Sequence, residues 1–209
     1  MLEIETFVVT PFAQNARVLL DGETAVVIDP GGESEKIWRF IQDRGVRLTE
    51  IWLTHSHVDH CGGVAALKEK SEAILVAHSN EEFLRSNVDK ICAMYGLPQG
   101  DMSNCPEPDV CIVGGEQLQI GSNLFEVLFT PGHSPGHVSF FAPSLGIIFS
   151  GDVLFQGSIG RTDLPGGDHQ TLLTSIKEKL LVLPEKTVVY CGHGPNTTIE
   201  IERENNPFL

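Results

Sequence analysis

The sequence predicts an α+β fold in which two β-sheets pack face to face and helices cover their outer faces. Short apolar runs bounded by Gly, Pro or Asp recur along the chain, as is typical of strands. Amphipathic segments with helical spacing lie between them, and no Gly/Ser linker or low-complexity stretch interrupts the series. We therefore expect a single domain over residues 1–209, made of two sheet-containing halves that divide near Gly114-Gly115.

The apolar runs define the predicted strands. In the first half these are residues 4–9, 17–20, 24–28, 51–53 and 74–77, and in the second half 117–120, 125–129, 138–142, 146–149 and 187–190. Helices are predicted where apolar residues share one face, over residues 33–44, 63–70 and 169–183. Residues 79–112 are rich in proline and are predicted to form a less regular cap beside the mouth of a site.

Composition limits the classes of partner. The net charge of −14 disfavours nucleic acids and anionic membranes as partners. No apolar stretch approaches the roughly 20 residues of a membrane span, and the acidic residues 1–5 do not resemble a secretory signal. We expect a cytoplasmic protein that acts on a small molecule; the sequence makes no prediction of its oligomeric state.

Cysteine usage argues against a thiolate metal site. Five cysteines without a CxxC pair do not form a structural zinc motif. Cys61 and Cys191 neighbour the loops described next, and we predict that both are buried apolar fillers. Cys105 and Cys111 would pair only in an oxidising compartment.

The stretch His55-Ser56-His57-Val58-Asp59-His60 carries the strongest chemical signal in the chain. It places three imidazoles and a carboxylate directly after an apolar run. Divalent metals such as zinc take these groups as ligands. Asp59 has a second interpretation, as the N-cap of the helix predicted to start near residues 61–63.

Three later residues complete a ligand set. His133, Asp152 and His193 each follow an apolar run and lie beside glycine. A single histidine in a glycine-rich loop is more often a hydrogen-bonding residue, but the clustering of histidines in three such loops favours metal binding. We assign His137 a supporting role, and we expect His78 and His169 to lie at helix starts.

Seven candidate ligands exceed one tetrahedral site, so we predict two divalent metal ions, zinc before iron or a mixed pair. Two neighbouring ions can share one activated water and also polarise the substrate. Asp152 suits the bridging position because a carboxylate offers two oxygens. Asp59 and Asp152 are the predicted catalytic carboxylates. The reaction class is hydrolysis of an electrophilic carbonyl or phosphoryl group.

Taken together, these motifs resemble the metallo-β-lactamase superfamily from residues 29–32 to His193. The resemblance implies a four-layer αββα sandwich. It also implies that His55, His57 and His133 bind one metal, that Asp59, His60 and His193 bind the other, and that Asp152 bridges them.

A narrower likeness concerns the substrate. The segment 131–137, the loop 150–168 and the terminal residues 206–209 resemble the short glyoxalase II-like hydrolases. This likeness implies hydrolysis of the thioester S-D-lactoylglutathione to D-lactate and glutathione. A thiolate, with a pKa near 8.5, leaves without a dedicated acid, which agrees with the absence of an obvious proton donor in the motifs.

One departure from the longer glyoxalase II enzymes concerns glutathione. Those enzymes carry a C-terminal helical domain with basic residues, whereas this chain ends at Leu209, shortly after His193. Glutathione is anionic, so a positive group is needed, and Arg161 is the predicted substrate contact. An Arg161–Asp163 pair that only shapes the loop is the alternative.

Other activities share these ligands. A mononuclear iron persulfide dioxygenase, with His55, His133 and Asp152 as its facial triad, is the leading alternative. Lactonase or β-lactamase activity needs the same site and a different pocket. RNA processing is disfavoured by the negative charge. Metals that act only as structural staples are the remaining interpretation.

Overall fold

The computed structural model describes residues 2–209 and contains helices and strands in both halves of the chain. The strands are β1 (Glu3–Val9), β2 (Gln14–Asp21), β3 (Thr24–Ile28), β4 (Arg47–Trp52), β5 (Ile74–His78), β6 (Val110–Ile112), β7 (Gln117–Ile120), β8 (Asn123–Phe129), β9 (Val138–Ala142), β10 (Ile147–Gly151), β11 (Leu154–Phe155), β12 (Ser158–Ile159), β13 (Val188–Cys191) and β14 (Thr197–Thr198). The α-helices are α1 (Ser34–Asp43), α2 (Val58–Cys61), α3 (Val64–Lys70), α4 (Glu82–Arg85), α5 (Val88–Tyr95), α6 (His169–Ser175) and α7 (Ile199–Asn205). The predicted α+β class is confirmed.

The chain divides into two compact units. The first runs to Cys111 and takes in Ile120–Ser122, and the second comprises Ile112–Gln119 and Asn123–Leu209. The main segment of the first unit ends at Cys111, shortly before Gly114-Gly115, and the organisation as a single domain stays a prediction.

The first unit is built on a six-stranded sheet ordered β1-β2-β3-β4-β5-β6. Strands β1 to β3 are antiparallel neighbours, whereas β3, β4 and β5 run parallel and are joined through helices. Parallel neighbours bring their carboxyl ends to the same edge of a sheet. The residues that follow β3 and β4 therefore lie side by side.

The second unit carries a six-stranded sheet ordered β14-β13-β10-β9-β8-β7. Strands β10 and β13 are its parallel pair, with an irregularity between Phe149 and Gly151. Their carboxyl ends, like those of β3 and β4, lie at one edge. The loops after these two strands start at Asp152 and Gly192.

Each unit has its own apolar core. In the first, Ile37 and Ile41 of α1 and Leu67 of α3 pack against the sheet; in the second, the stripe predicted for residues 169–183 is buried through Leu172 and Ile176. Each fully buried aliphatic side chain of this size contributes about 1.5–3 kcal/mol to folding. The long helix predicted there is divided into α6 and a π-helical turn, Ile176–Leu180.

The other differences from the predicted elements are local. The predicted strands are confirmed, β3, β7 and β9 with the predicted bounds and the others with shifted ends, and α1 and α3 are confirmed with shifted ends. The elements that were not predicted are β6, β11, β12, β14, α2 and α7. Residues 79–112 are more regular than predicted, since they contain α4 and α5. These helices are short and bury few apolar residues, mainly Leu84, Val88 and Cys92. Among residues 2–209, no helix is both long enough and apolar enough to cross a membrane.

Candidate metal centre

The first group of predicted ligands follows β4 directly. His55 and His60 are buried, and His57 and Asp59 are partly buried. His55 Nε2 lies 3.1 Å from His57 Nδ1, and His60 Nε2 lies 3.9 Å from Asp59 Oδ2. Two ligand atoms each about 2.05 Å from a tetrahedral zinc lie about 3.4 Å apart. The spacing of these donor atoms fits ligands that share an ion.

Helix α2 presents two of these residues. Its N-cap is His57, and Asp59 lies in its first turn, so the interpretation of Asp59 as an N-cap is wrong. The helix begins at the end of the ligand loop because the amides of His60 and Cys61 both donate to the His57 carbonyl. The short helix therefore carries Asp59 and His60 on consecutive positions beside His57.

Asp29, at the carboxyl end of β3, holds this loop in place. Its Oδ2 accepts hydrogen bonds from His60 Nδ1 at 2.9 Å and from the Thr54 hydroxyl at 2.6 Å, and its Oδ1 accepts from the Thr54 amide at 2.7 Å. Asp29, His55 and His60 each place one donor atom within 4.8 Å of the others. With Nδ1 of His60 engaged, Nε2 is the nitrogen left for a metal.

Two further features fix the same loop. Glu81 is buried and its Oε2 accepts from the Ser56 amide at 2.8 Å, between two ligand histidines. A Cβ on Gly31 would lie 1.5 Å from the Asp59 carbonyl oxygen, so only glycine allows this approach of the backbone to α2. Sequence analysis missed the roles of Asp29 and Glu81; the position of Asp29 at a strand end before Pro-Gly-Gly was the available signal.

The second group of predicted ligands lies at the edge of the second sheet. Asp152 Oδ2 lies 3.6 Å from His133 Nε2 and 3.4 Å from His193 Nε2. One carboxylate oxygen is thus close to two imidazole nitrogens that come from different loops. These distances fit donor atoms of a metal centre, and the bridging role of Asp152 stays a prediction.

Both ring nitrogens of His137 make hydrogen bonds beside the second group of predicted ligands. The Asp152 amide donates to His137 Nε2 at 3.1 Å, so that nitrogen is unprotonated. The proton therefore lies on Nδ1, which is 3.0 Å from the Thr130 hydroxyl. The role predicted for His137, to support the site, agrees with these contacts.

Arg161 contributes a backbone contact and a side-chain pair. Its carbonyl accepts from His133 Nδ1 at 2.8 Å. Its guanidinium makes two hydrogen bonds of 2.7 Å to the Asp163 carboxylate, and the side chain is 60% exposed. This Arg161 hydrogen bond lowers the pKa of Asp163 to about 2. The pair is the alternative weighed in the sequence, and a substrate contact by Arg161 stays a prediction.

Two further histidines lie at helix starts, and Cys61 and Cys191 are buried. His78 is the N-cap of a 3₁₀ turn and accepts from the Asn80 amide, and Asp168 caps α6, with His169 its first residue. Cys61 and Cys191 are buried free thiols. Burial raises the pKa of Cys61 well above its usual range. These observations confirm the predicted buried positions of Cys61 and Cys191.

The chemistry of the donor set fits divalent metals. The seven predicted ligands offer imidazole nitrogens and carboxylate oxygens, which suit zinc and iron. Ligating histidines usually donate their second nitrogen to a carboxylate or a backbone carbonyl, as His60 does to Asp29 and His133 to Arg161. The surrounding hydrogen bonds are thus those of a metal centre.

The sequence of the chain is similar to those of known proteins along most of its length. The model of the metallo-beta-lactamase superfamily matches residues 9–193. The chain is 40% identical to hydroxyacylglutathione hydrolase GloC of Haemophilus influenzae over 211 residues, which cover 100% of this chain and 98% of that protein.

Two solved structures are similar along nearly their whole length. BLEG-1 B3 metallo-beta-lactamase matches with a TM-score of 0.90 and 40% identity, covering 99% of both chains. TTHA1623 in a di-iron-bound form matches with a TM-score of 0.87 and 42% identity, covering 97% of this chain and 100% of that one. The predicted fold type is confirmed.

Proposed function

The chain belongs to the metallo-β-lactamase superfamily, and from this membership we propose that it is a binuclear metal-dependent hydrolase of thioesters. The substrate that we propose is S-D-lactoylglutathione, with D-lactate and glutathione as products. The observation that carries the proposal is the position of one Asp152 oxygen close to both His133 Nε2 and His193 Nε2.

The proposed ligand sets follow the family pattern. His55, His57 and His133 hold one ion; Asp59, His60 and His193 hold the other; Asp152 bridges them. The short distances between His55 and His57, between Asp59 and His60, and between Asp152 and His193 support the parts of this assignment that lie within one unit. Zinc is the proposed metal, although similarity to a protein with a di-iron form makes iron a competitor.

The residues of the chain contribute orientation and electrostatics. When bound, the ions supply an activated water at neutral pH and Lewis acidity toward the substrate carbonyl. Asp29 and the Arg161 carbonyl hold His60 and His133 in the tautomer with the proton on Nδ1 and the lone pair on Nε2. His137 fixes the backbone at Asp152. The site is thus organised before substrate arrives, which lowers the cost of reorganisation during the reaction.

The thioester part of the proposal has two supports. The chain is 40% identical to GloC over its whole length. A thiolate also leaves readily without a general acid, whereas an amide nitrogen must be protonated. The carboxylates Asp59 and Asp152 are then free to act as ligands and need not serve as proton donors.

The cell compartment and the thiol part of the substrate belong to the same proposal. A cytoplasmic location agrees with the free cysteines, because that compartment keeps thiols reduced. The cytoplasm also contains glutathione, the thiol part of the proposed substrate. Arg161 remains the proposed glutathione contact, in competition with Asp163, which already holds two of its nitrogens.

A second candidate is β-lactam hydrolysis. It is favoured by the similarity to BLEG-1 B3 metallo-beta-lactamase, at 40% identity and a TM-score of 0.90. The same metals would serve, but the leaving group would be an amide nitrogen.

Parallel assays of the metal-loaded protein test these functions. We expect kcat/KM for S-D-lactoylglutathione to exceed that for a cephalosporin by several orders of magnitude. Turnover should cease on chelation and return with zinc. A higher kcat/KM for the cephalosporin would favour the second candidate, and sulfite formation from glutathione persulfide and oxygen would favour the dioxygenase.

A further inference from the structure

We propose that the segment Gly160-Arg161-Thr162-Asp163 is a positioning element for His133, and that the side-chain pair of Arg161 and Asp163 fixes the carbonyl that orients this imidazole. The inference rests on the proposed role of His133 as a metal ligand. It assigns Arg161 a role other than, and separable from, the binding of glutathione.

The contact between the segment and His133 is direct. His133 is 2% exposed, and its Nδ1 lies 2.8 Å from the Arg161 carbonyl oxygen. A carbonyl only accepts, so this hydrogen bond places the proton of the neutral ring on Nδ1 and the lone pair on Nε2. Nε2 is the nitrogen that lies 3.6 Å from Asp152 Oδ2. The hydrogen bond to the Arg161 carbonyl thus determines that the unprotonated nitrogen of His133, Nε2, faces Asp152, the proposed bridging carboxylate.

The segment has no room to shift toward the ligands. The Gly160 amide donates to the Val153 carbonyl at 3.2 Å. A Cβ on Gly160 would lie 1.9 Å from the Asp152 carbonyl oxygen and 3.2 Å from His133 Nδ1. The backbone at Gly160 is therefore packed against two predicted ligands at once.

The far side of the segment is tied back to the His133 loop. The Asp168 amide donates to the Gly132 carbonyl at 2.8 Å. A Cβ on Gly167 would lie 2.5 Å from the Thr162 carbonyl oxygen, so the turn after Asp163 folds closely over the segment. The Arg161 carbonyl lies between these two attachments.

The Arg161–Asp163 pair adds a side-chain constraint on that backbone. The guanidinium binds both carboxylate oxygens, each at 2.7 Å, across one intervening residue. Such a two-point contact restricts the dihedral angles of residues 161–163. Exposed pairs contribute little to global stability. We therefore expect that loss of the pair weakens zinc binding through His133 while it changes the free energy of unfolding little.

The inference and the glutathione role make different predictions. A guanidinium that binds glutathione acts on the KM for glutathione thioesters. A guanidinium that positions His133 acts on the affinity for metal, without any substrate present. Metal affinity is therefore the readout that separates the two roles.

Asp163→Asn and Arg161→Gln remove the pair while keeping the backbone carbonyl and similar side-chain volumes. The matched control is Glu185→Gln, which removes an exposed pair with Arg203 in the same unit, 3.1 Å long, in which neither residue is a predicted ligand. Zinc affinity of the metal-free proteins is measured by chelator competition. Loss of an outer contact typically weakens metal binding by about 10–100-fold. We expect a loss in this range for the two variants and wild-type affinity for the control.

A double-mutant cycle with His133→Ala identifies the route of the effect. If the pair acts through His133, Asp163→Asn causes no further loss of zinc affinity once the imidazole is absent. A full additional loss in the His133→Ala background would overturn the inference, as would wild-type affinity in both Asp163→Asn and Arg161→Gln. The unfolding midpoints of the metal-free variants show whether any loss reflects general destabilisation.

Failure of the inference and failure of the proposed function have different signatures. Metal coupling between Asp163 and His133 without thioester hydrolysis would contradict the function and leave the inference standing. Thioester hydrolysis with no such coupling would contradict only the inference. A wild-type protein that binds no zinc or iron would overturn both.

Discussion

His60 Nδ1 lies 2.9 Å from Asp29 Oδ2, and both side chains are buried. The contact joins the carboxyl end of β3 to helix α2, which follows the neighbouring strand β4 by way of the ligand loop. Because β3 and β4 are parallel, their ends meet at one edge of the sheet. The carboxylate of Asp29, at the end of β3, thus orients the imidazole of His60, which follows β4 along the chain.

Asp29→Asn should weaken metal binding by about 10–100-fold. The amide presents an N–H group, in place of an acceptor, to either Thr54 or His60, so the proton on His60 Nδ1 loses a charged partner. Hydrogen bonds to charged groups contribute about 1.5–3 kcal/mol, so the metal-free protein should also lose stability in this range. Chelator competition and urea unfolding measure the two effects.

Asp109→Asn is the control for this substitution. Asp109 also accepts from a backbone amide, that of Leu75, and pairs with Lys68, but it contacts none of the predicted ligands. It should lose some stability and keep its metal affinity. Equal metal affinities for wild type and Asp29→Asn would refute the orienting role of Asp29.

Adjacent glycines offer a matched test of the packing beneath α2. In Gly31→Ala the new Cβ would meet the Asp59 carbonyl at 1.5 Å. In Gly32→Ala it would meet only side chains, those of Thr10, Met102 and Asp101, at 3.3, 3.4 and 3.7 Å. Overpacking against backbone should cost Gly31→Ala about 1–3 kcal/mol of unfolding free energy. Gly32→Ala should stay within about 0.5 kcal/mol of wild type. Comparable losses in both variants would argue against the close approach of Gly31 to α2.

His133→Ala and Asp152→Ala should each reduce thioester hydrolysis by more than the roughly 100-fold attributed to an outer contact. Each removes a proposed ligand, and Asp152→Ala removes the bridge. Far-UV circular dichroism should show that the fold survives. His169→Ala, at an exposed histidine outside both ligand groups, serves as the control and should keep wild-type kcat/KM. A variant that loses metal and keeps full activity would refute the site.

Arg161→Ala should raise the KM for glutathione thioesters more than it lowers kcat when metal is in excess. The excess metal offsets any weakened binding of the ions, so the change in KM reports the contact with glutathione. A thioester that lacks the glutathione moiety is the control substrate, and its KM should not change. Unchanged kinetics with both substrates would exclude Arg161 from substrate binding.

The ion pair of Arg161 and Asp163 should persist on acidification down to about pH 4. Because the hydrogen bond from Arg161 lowers the pKa of Asp163 to about 2, any stabilisation by the pair is complete above the ordinary carboxyl value and is lost as pH falls toward 2. The ratio of zinc affinities of wild type and Asp163→Asn should therefore be constant from pH 8 to pH 5.5, although both affinities fall as histidines are protonated. A ratio that collapses toward one within this range would contradict the assignment.

The predicted ligands could be found from the sequence because each ligand loop follows an apolar strand. His55 comes shortly after β4, Asp152 directly after β10 and His193 shortly after β13, and the apolar pattern of these strands is strong. The ends of parallel neighbours meet at one edge, so strand pairing explains why Asp152 and His193 lie close together. The apolar pattern of the strands, together with the rule that parallel neighbours end at one edge, accounts for this part of the site.

Other features depend on contacts between distant residues. Asp29 reaches His60, and Glu81 reaches the Ser56 amide, across long separations in sequence, and neither contact has a local pattern. Helix α7 was missed because its segment is largely polar and buries Glu202, whose carboxylate accepts from Thr197 and Asn206. Burial of a charged residue is decided by such partners and not by periodicity.

Elemental analysis of the purified protein tests the central claim most directly. The proposed binuclear centre predicts two divalent ions per chain, with zinc as the main element, and removal of both by a chelator together with all thioester hydrolysis. A single iron per chain, in a protein that converts glutathione persulfide and oxygen to sulfite, would contradict it.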